Sequence, residues 1–245
     1  MVFTPFEIDQ FVNDGWIVLR DGFPRAGAER CRDFIWSHVG RSWDNCSTSG
    51  QPMIHLRQNF SGPPFDSVSN PRLIEAFDQL LGPGRWRFDA GFGWWPILLP
   101  GFPGPAGWHI DGGEPHRCLG PGKGLVTLFF FSDVGPGDGG TPVIAKSHLR
   151  VTRSLYNASP AGLSTTELDA LLGPIDPADV VSLAGHAGDV AFLHPHLLHG
   201  FGPNNGVHIR FACNPLVELA VALELERPDG DYSPVEAAMR RAVET

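Results

Sequence analysis

The sequence predicts a mainly β fold with flanking helices, a double-stranded β-helix of the jelly-roll or cupin-like kind. Three observations lead there. From Trp86 onward, short segments rich in β-branched, aromatic and aliphatic residues succeed one another, among them KGLVTLFFFSDV, GTPVIAKSHL, ADVVSLAG and GDVAFLHP. Glycine (30) and proline (23) punctuate these segments, a density suited to many short strands joined by turns. Capped amphipathic segments lie before and after the strand-rich stretch, and helices packed around antiparallel strands bury the apolar faces of both.

The elements follow in order. In TPFEIDQFVNDG, Thr4 is an N-cap, Pro5 the first helical residue and Glu7 the N3 partner of a capping box, and Gly15 stops the helix. WIVLRDGF is a strand, AGAERCRDFIWSHV an amphipathic helix, and NPRLIEAFDQLLG a second helix capped by Asn70 and ended by Gly82. RWRFDAGFGWWPILL is the first long strand, with Gly93 and Trp95 on the face opposite Trp94. GVHIRFACNPLVELAVAL continues the strand pattern, and SPVEAAMRRAV is a helix with Ser233, Pro234 and Glu236 in capping positions. With no internal repeat, 245 residues suit one domain over 1–245: a helical segment to about 85, a β core over about 86–225 and a final helix at about 233–243.

Composition narrows the function. Charged residues make up 18% of the chain and the net charge is −9, which argues against nucleic acid or an anionic membrane as partner. No apolar run is long enough to span a bilayer, and the N-terminus lacks the basic-then-apolar layout of a secretory leader, so a cytoplasmic protein acting on a small molecule is expected. Cys31, Cys46, Cys118 and Cys213 are scattered without metal-ligand spacing and are expected to be reduced and mostly buried.

Chemistry concentrates in two places. In AGWHIDGGEPH, His109 and Asp111 are two apart, so on a strand they share a face and form a mixed nitrogen and oxygen donor pair. In GDVAFLHPHLLHGFGPNNGVHIRFACNP, His194, His196 and His199 crowd together. With PNNG (Pro203 to Gly206) as a hairpin tip, His199 falls opposite Arg210. His109, Asp111 and His199 then make a two-histidine, one-carboxylate set that suits iron(II) and leaves coordination positions for a bidentate 2-oxo acid and dioxygen. Arg210 offers the planar fork that grips the far carboxylate of such an acid, and unpaired it is costly in an apolar strand. His194 and His196 remain alternatives to His199, with Pro195 setting them at a strand end or bend.

These motifs resemble the phytanoyl-CoA dioxygenase family of Fe(II)/2-oxoglutarate-dependent oxygenases. The likeness is carried by WHID, GGTPVIAKSHL and GDVAFLHPHLLHGFGPNNGVHIR, with FTPFEIDQFVNDGWIVLRDGF resembling the family's opening segment, and it is weakest between residues 40 and 90. The resemblance implies that His109, Asp111 and His199 hold iron and that Arg210 anchors 2-oxoglutarate. It places Thr127 on a strand facing the site, as a candidate hydrogen-bond partner of the cosubstrate. The activity it implies is oxidation of a C–H bond with dioxygen, releasing succinate and carbon dioxide. Halogenating relatives lack the carboxylate that Asp111 supplies here, which favours hydroxylation or another C–H oxidation. A CoA thioester is a possible substrate by the family's name, although the chain shows no dedicated nucleotide-phosphate patch.

Other residues are weaker candidates. Trp94 or Trp95, Arg57 in HLRQNF, and His116 just past the metal motif are candidate substrate contacts. His148, His186 and His208 are assigned to turns or edges, and Asp189 to a turn. GPGKG at 120–124 lacks the strand-loop-helix setting of a phosphate cradle. The alternatives to an oxygenase are a zinc or manganese isomerase or hydrolase on the same fold, which would not need Arg210, and a non-catalytic binding module.

Overall fold

A computed structural model of the chain describes residues 1–39, 52–88, 91–120 and 122–244. The N-terminal segment forms α1 (Pro5–Asp14), β1 (Trp16–Leu19), α2 (Arg25–Val39), β2 (Met53–Leu56) and α3 (Pro71–Leu81). Thr4 and Glu7 make the expected capping box, Gly15 ends α1 at φ 89°, and the Asn70 side chain accepts from the backbone of Arg72 and Leu73. β2 was not anticipated. Cys46 lies outside the described residues; Cys31, Cys118 and Cys213 are buried free thiols, and burial pushes Cys31 up to about 12 and Cys118 to about 11.

The strand-rich region continues with β3 (Trp86–Arg87), β4 (Trp95–Leu98), β5 (Ala106–His109), β6 (Lys123–Phe130), β7 (Thr141–Ile144), α4 (Ser147–Asn157), α5 (Thr165–Leu172), β8 (Val180–Leu183), β9 (Val190–Leu193), β10 (His199–Phe201), β11 (Ala212–Cys213) and β12 (Leu216–Leu219), and closes with α6 (Pro234–Glu244). The fold is mainly antiparallel sheet with flanking helices. A six-stranded sheet runs β1-β9-β6-β12-β3 with β11 also on β6, a four-stranded sheet runs β5-β10-β7-β8, and β2 pairs with β4.

Alternation on β6 decides what each face of the larger sheet meets. Leu125 and Phe129 join the core that takes in Phe11, Ile35 and Phe77 of the helices. Val126, Leu128 and Phe130 pack instead with Val143 and Leu183 of the smaller sheet, so the two sheets share a core between them. At the far end, Glu236 completes a buried capping box with Ser233 and takes both arms of Arg85 at 2.6 and 2.9 Å.

Two expectations are corrected and one helix is added. GTPVIAKSHL is not one strand: β7 stops at Ile144, Lys146 turns to φ 64°, and Ser147 opens α4. The α5 helix was not anticipated either, although Ser164 and Glu167 form a capping box. PNNG is not a hairpin tip. A two-residue type I′ turn needs φ above zero at both central residues, and among the described non-glycine residues only Asp21, Trp94 and Lys146 have it. Asn204 is buried instead, its carboxamide donating to the carbonyls of Leu98 and His208. The chain after β10 therefore leaves the smaller sheet and rejoins the larger one at β11.

His148, assigned to a turn or edge, is fully buried on α4. Its ring lies 5.0 Å from that of His194, which lies 5.4 Å from that of His196. His148 Nε2 donates to the Val12 carbonyl at 3.2 Å, and His194 Nδ1 accepts from the His196 backbone at 3.1 Å, so the His194 ring is neutral. Burial pulls His148 down to about 4 and His196 to about 3, and holds His194 well below its ordinary value. No helix among the described residues is long and apolar enough to cross a membrane.

Depressed imidazole values mean that the unfolded chain binds protons the folded chain refuses. Stability is thus complete above about pH 6.5 and falls as pH drops toward about 4. Urea denaturation at pH 7.5 and pH 5 should show a loss of a few kcal/mol, of which His148→Gln should remove a share. An unchanged midpoint across that interval would contradict it.

Candidate metal centre and cosubstrate recess

The central pairing is between β5 and β10. His109 stands directly opposite His199, and His199 also faces Val143 of β7. Asp111 follows two residues after His109, just past the end of β5. One donor atom from each of His109, Asp111 and His199 lies within 4.8 Å of the others. Nε2 of His109 is 3.5 Å and Nε2 of His199 4.0 Å from Asp111 Oδ1, and the two imidazoles are 4.4 Å apart.

Both rings are oriented by the chain two residues upstream. His199 Nδ1 lies 3.0 Å from the Leu197 carbonyl, and His109 Nδ1 contacts the Gly107 carbonyl. A proton on each Nδ1 leaves each Nε2 lone pair for a cation, the usual way a second hydrogen bond fixes a ligating tautomer. Gly107 has φ 66°, a left-handed conformation that favours glycine, and the residue supplies the carbonyl that His109 contacts. The donor set of two imidazoles and a carboxylate fits a divalent first-row transition metal.

Behind the histidines lies Arg210. The register expected for it is not observed, since its backbone bridges Leu98 of β4 and not His199. Its side chain nevertheless reaches the same place. Arg210 is buried, with Nη1 donating to the Pro96 carbonyl at 2.9 Å and Nη2 to Thr141 Oγ1 at 2.8 Å, while buried Nε has no partner. No carboxylate pairs with it among the described residues, and burial lowers its pKa to about 10, so the guanidinium stays charged at neutral pH. Arg210, Thr141, His109 and His199 line one recess of about 20 Å³, room for one or two water-sized groups. A buried cation beside a metal-type donor cluster suits the carboxylate end of a short chelating acid.

The recess shares Pro96, His109, Phe201 and Asn214 with a cavity of about 400 Å³. Trp94, His55, Leu125 and Val126 are among its other walls. Trp94 is 47% exposed and held at φ 57°, with the Arg57 guanidinium 5.6 Å over its ring; Arg57 itself is exposed and outside the cavity lining. Trp95 is a core residue, fully buried, with Nε1 donating to the Phe92 carbonyl at 3.0 Å, and it does not line the cavity. The left-handed turn at Trp94 aims the two indoles apart, as alternation implied. Thr127 does line the cavity, but its hydroxyl donates to the Pro215 carbonyl at 2.7 Å, which commits its proton.

His116 is also elsewhere. It is buried against Thr165 Oγ1 at 3.1 Å and lines a second cavity of about 480 Å³ on the other side of the Asp111–Gly112 turn. His196 lines that second cavity too and bonds Thr152 Oγ1 at 2.8 Å, so neither His194 nor His196 joins the donor cluster. His186 and His208 are exposed, as expected. Asp189 sits in its expected turn and, buried, also accepts from Arg20 and the backbone of Asp21 and His186. Sequence reasoning missed Gly107, Thr141 and Asn214. Of these, Asn214 had a readable signal, since it lies four residues past Arg210 in an extended segment and so shares its face.

Comparisons with known proteins add the fold. No protein-family model and no curated protein matches the chain. Among solved structures, EvdO2 from Micromonospora carbonacea var. aurantiaca, complexed with 2-oxoglutarate, is 16% identical with a TM-score of 0.60, covering 94% of this chain and 96% of its own. SnoK, a non-heme alpha-ketoglutarate-dependent carbocyclase from nogalamycin biosynthesis, is 19% identical with a TM-score of 0.55, covering 93% and 89%. The non-heme monooxygenase ThoJ in its nickel complex is 15% identical with a TM-score of 0.55, covering 88% and 78%. This chain has the fold of these non-heme oxygenases.

One first-row divalent cation should bind per chain, measured by calorimetry with manganese or nickel. Gly107→Ala should weaken that binding about 10- to 100-fold by turning away the carbonyl that orients His109. Undiminished affinity in this variant would show that the Gly107 contact is dispensable.

Proposed function

We propose that this protein is an Fe(II)- and 2-oxoglutarate-dependent dioxygenase on a double-stranded β-helix. It oxidises a C–H bond of a small organic substrate, with succinate and carbon dioxide as co-products. The observation that carries the reading is the buried Arg210 guanidinium, which has no carboxylate partner among the described residues and lies in one recess with His109 and His199. The donor set favours iron(II) over magnesium or calcium, which prefer oxygen ligands. The motif resemblance to the phytanoyl-CoA dioxygenase family and the oxygenase fold support the same class. EvdO2 holds 2-oxoglutarate and SnoK depends on it, which supports that acid as the cosubstrate here.

Each residue then has a task. His109, Asp111 and His199 would hold the metal on one side, leaving the opposite side to ligands. Arg210, steadied by Pro96 and Thr141, would bind the far carboxylate of the acid and so orient its chelating end. The walls of the 400 Å³ cavity would exclude bulk water and hold the substrate beside the metal. When bound, iron(II) supplies the activation of dioxygen coupled to decarboxylation of the acid.

Asp111→Ala and His199→Ala should each abolish succinate formation from 2-oxoglutarate. Arg210→Ala should raise the 2-oxoglutarate requirement by several-fold to a few hundredfold, the range for losing a charge-assisted pair. Succinate release is the measurement, and full activity in either ligand variant refutes the assignment. Activity that needs a metal but survives Arg210→Ala unaltered would point to a different metalloenzyme.

A further inference from the structure

We infer that Asn214 is the substrate-specificity residue of this site, and that the part of the substrate entering the 400 Å³ cavity is uncharged, largely apolar and carries a hydroxyl or carbonyl near the carbon that is oxidised. The inference rests on the oxygenase reading and extends it to the class of substrate.

The first observation is an unmet hydrogen-bonding group. Asn214 Oδ1 is buried without a partner, while the residue's backbone N–H is anchored on the Trp94 carbonyl at 3.0 Å. A buried carboxamide left unsatisfied costs about 1–3 kcal/mol, so such a group in a cavity wall marks a place where a ligand completes it.

The second is position. From Ala212 to Val217 the chain keeps one register against β6, shifting only after Val217: Ala212 faces Phe130, Cys213 faces Phe129, Leu216 faces Val126 and Val217 faces Leu125. The chain from Arg210 to Asn214 is therefore extended, and the two residues share the face that looks between the sheets. Four residues of strand span about 13 Å. A five-carbon diacid held at one end by Arg210 is shorter than that span, so Asn214 stands past its chelating end, where the substrate meets the metal. Asn214 accordingly lines the large cavity as well as the recess.

The third is charge. Apart from the metal donors, the cavity wall is Trp94, Leu125, Val126, Phe201 and similar apolar groups, with no lysine or arginine in it among the described residues. His55, on the same wall, is held below its ordinary value by burial and by Arg57, which keeps it neutral at pH 7. An anionic group entering this cavity would meet no lysine or arginine of the described wall to offset its lost hydration, a cost far smaller for a neutral alcohol or ketone. A pocket built to hydrogen-bond a substrate polar group also discriminates strongly against the analogue without it.

The test uses full-length protein loaded anaerobically with iron(II) and 2-oxoglutarate. It is titrated with matched cyclic alcohols, ketones and carboxylates from cyclohexyl to naphthyl size, and binding is read from the visible metal-to-acid band and from tryptophan fluorescence. Neutral members should bind and the carboxylates should not. Asn214→Leu should keep 2-oxoglutarate affinity within about twofold, weaken the best-bound alcohol by about five- to twentyfold and leave its deoxy analogue unchanged. Binding of carboxylates in preference, no binding by any neutral member, or undiminished alcohol affinity in Asn214→Leu overturns the inference. So does a loss of 2-oxoglutarate affinity in Asn214→Leu, which would make the side chain a partner of the acid and not of the substrate. Absence of the visible band in the parent protein is a separate result, the failure of the oxygenase reading itself.

Discussion

The site depends on the antiparallel pairing of β5 with β10. That contact sets His109 directly across from His199, two side chains ninety residues apart in the chain, and brings Asp111 within 4.0 Å of both Nε2 atoms. An opposed pair in an antiparallel ladder has its Cβ atoms about 5 Å apart, close enough for two imidazoles to share one ion. The carbonyls of Gly107 and Leu197 then hold the rings by their other nitrogens, so the geometry belongs to the backbone and not to flexible side chains. β10 is also held on its other edge by β7, where Val143 lies opposite His199.

Arg210 lies outside the smaller sheet, on the segment that bridges Leu98 of β4 just before β11. Its burial against Pro96 and Thr141 leaves a full charge inside the protein with hydrogen bonds but, among the described residues, no counter-ion. A structural arginine in such a place is normally paired, as Arg85 is with Glu236. The contrast is between a half-buried guanidinium matched by a carboxylate and a fully buried one held by a carbonyl and a hydroxyl alone. The metal-type donors come from the smaller sheet and the guanidinium from the segment before β11, and the two meet in one recess.

Local chemistry was legible residue by residue. The capping boxes at Thr4 and Ser233, the stop at Gly15 and the strands β6, β8 and β9 follow from propensities and caps that act within a few residues. The donor triad was legible too, because His-x-Asp at a strand end and a histidine upstream of an isolated arginine are unusual expenditures of polar groups in apolar surroundings. The Ser164 capping box was equally local and was passed over. What misled was the Asn-Asn-Gly stretch, whose turn propensity lost to the burial of Asn204 against Leu98 and His208. His199 and Arg210 converge all the same, but from β10 and from the segment bridged to β4, and not across one hairpin.

By itself the sequence determined the fold class, the ends of most helices and which residue types could hold a metal and an acid, because these rest on short-range backbone preferences and on the cost of burying polar groups. Only the tertiary structure decided that Trp94 and not Trp95 faces the cavity, that His116, His148 and His196 stay outside the donor cluster, and that Asn214 Oδ1 finds no partner among the described residues. Those outcomes turn on which groups satisfy one another across long separations in the chain, and that is settled when the sheets close on each other.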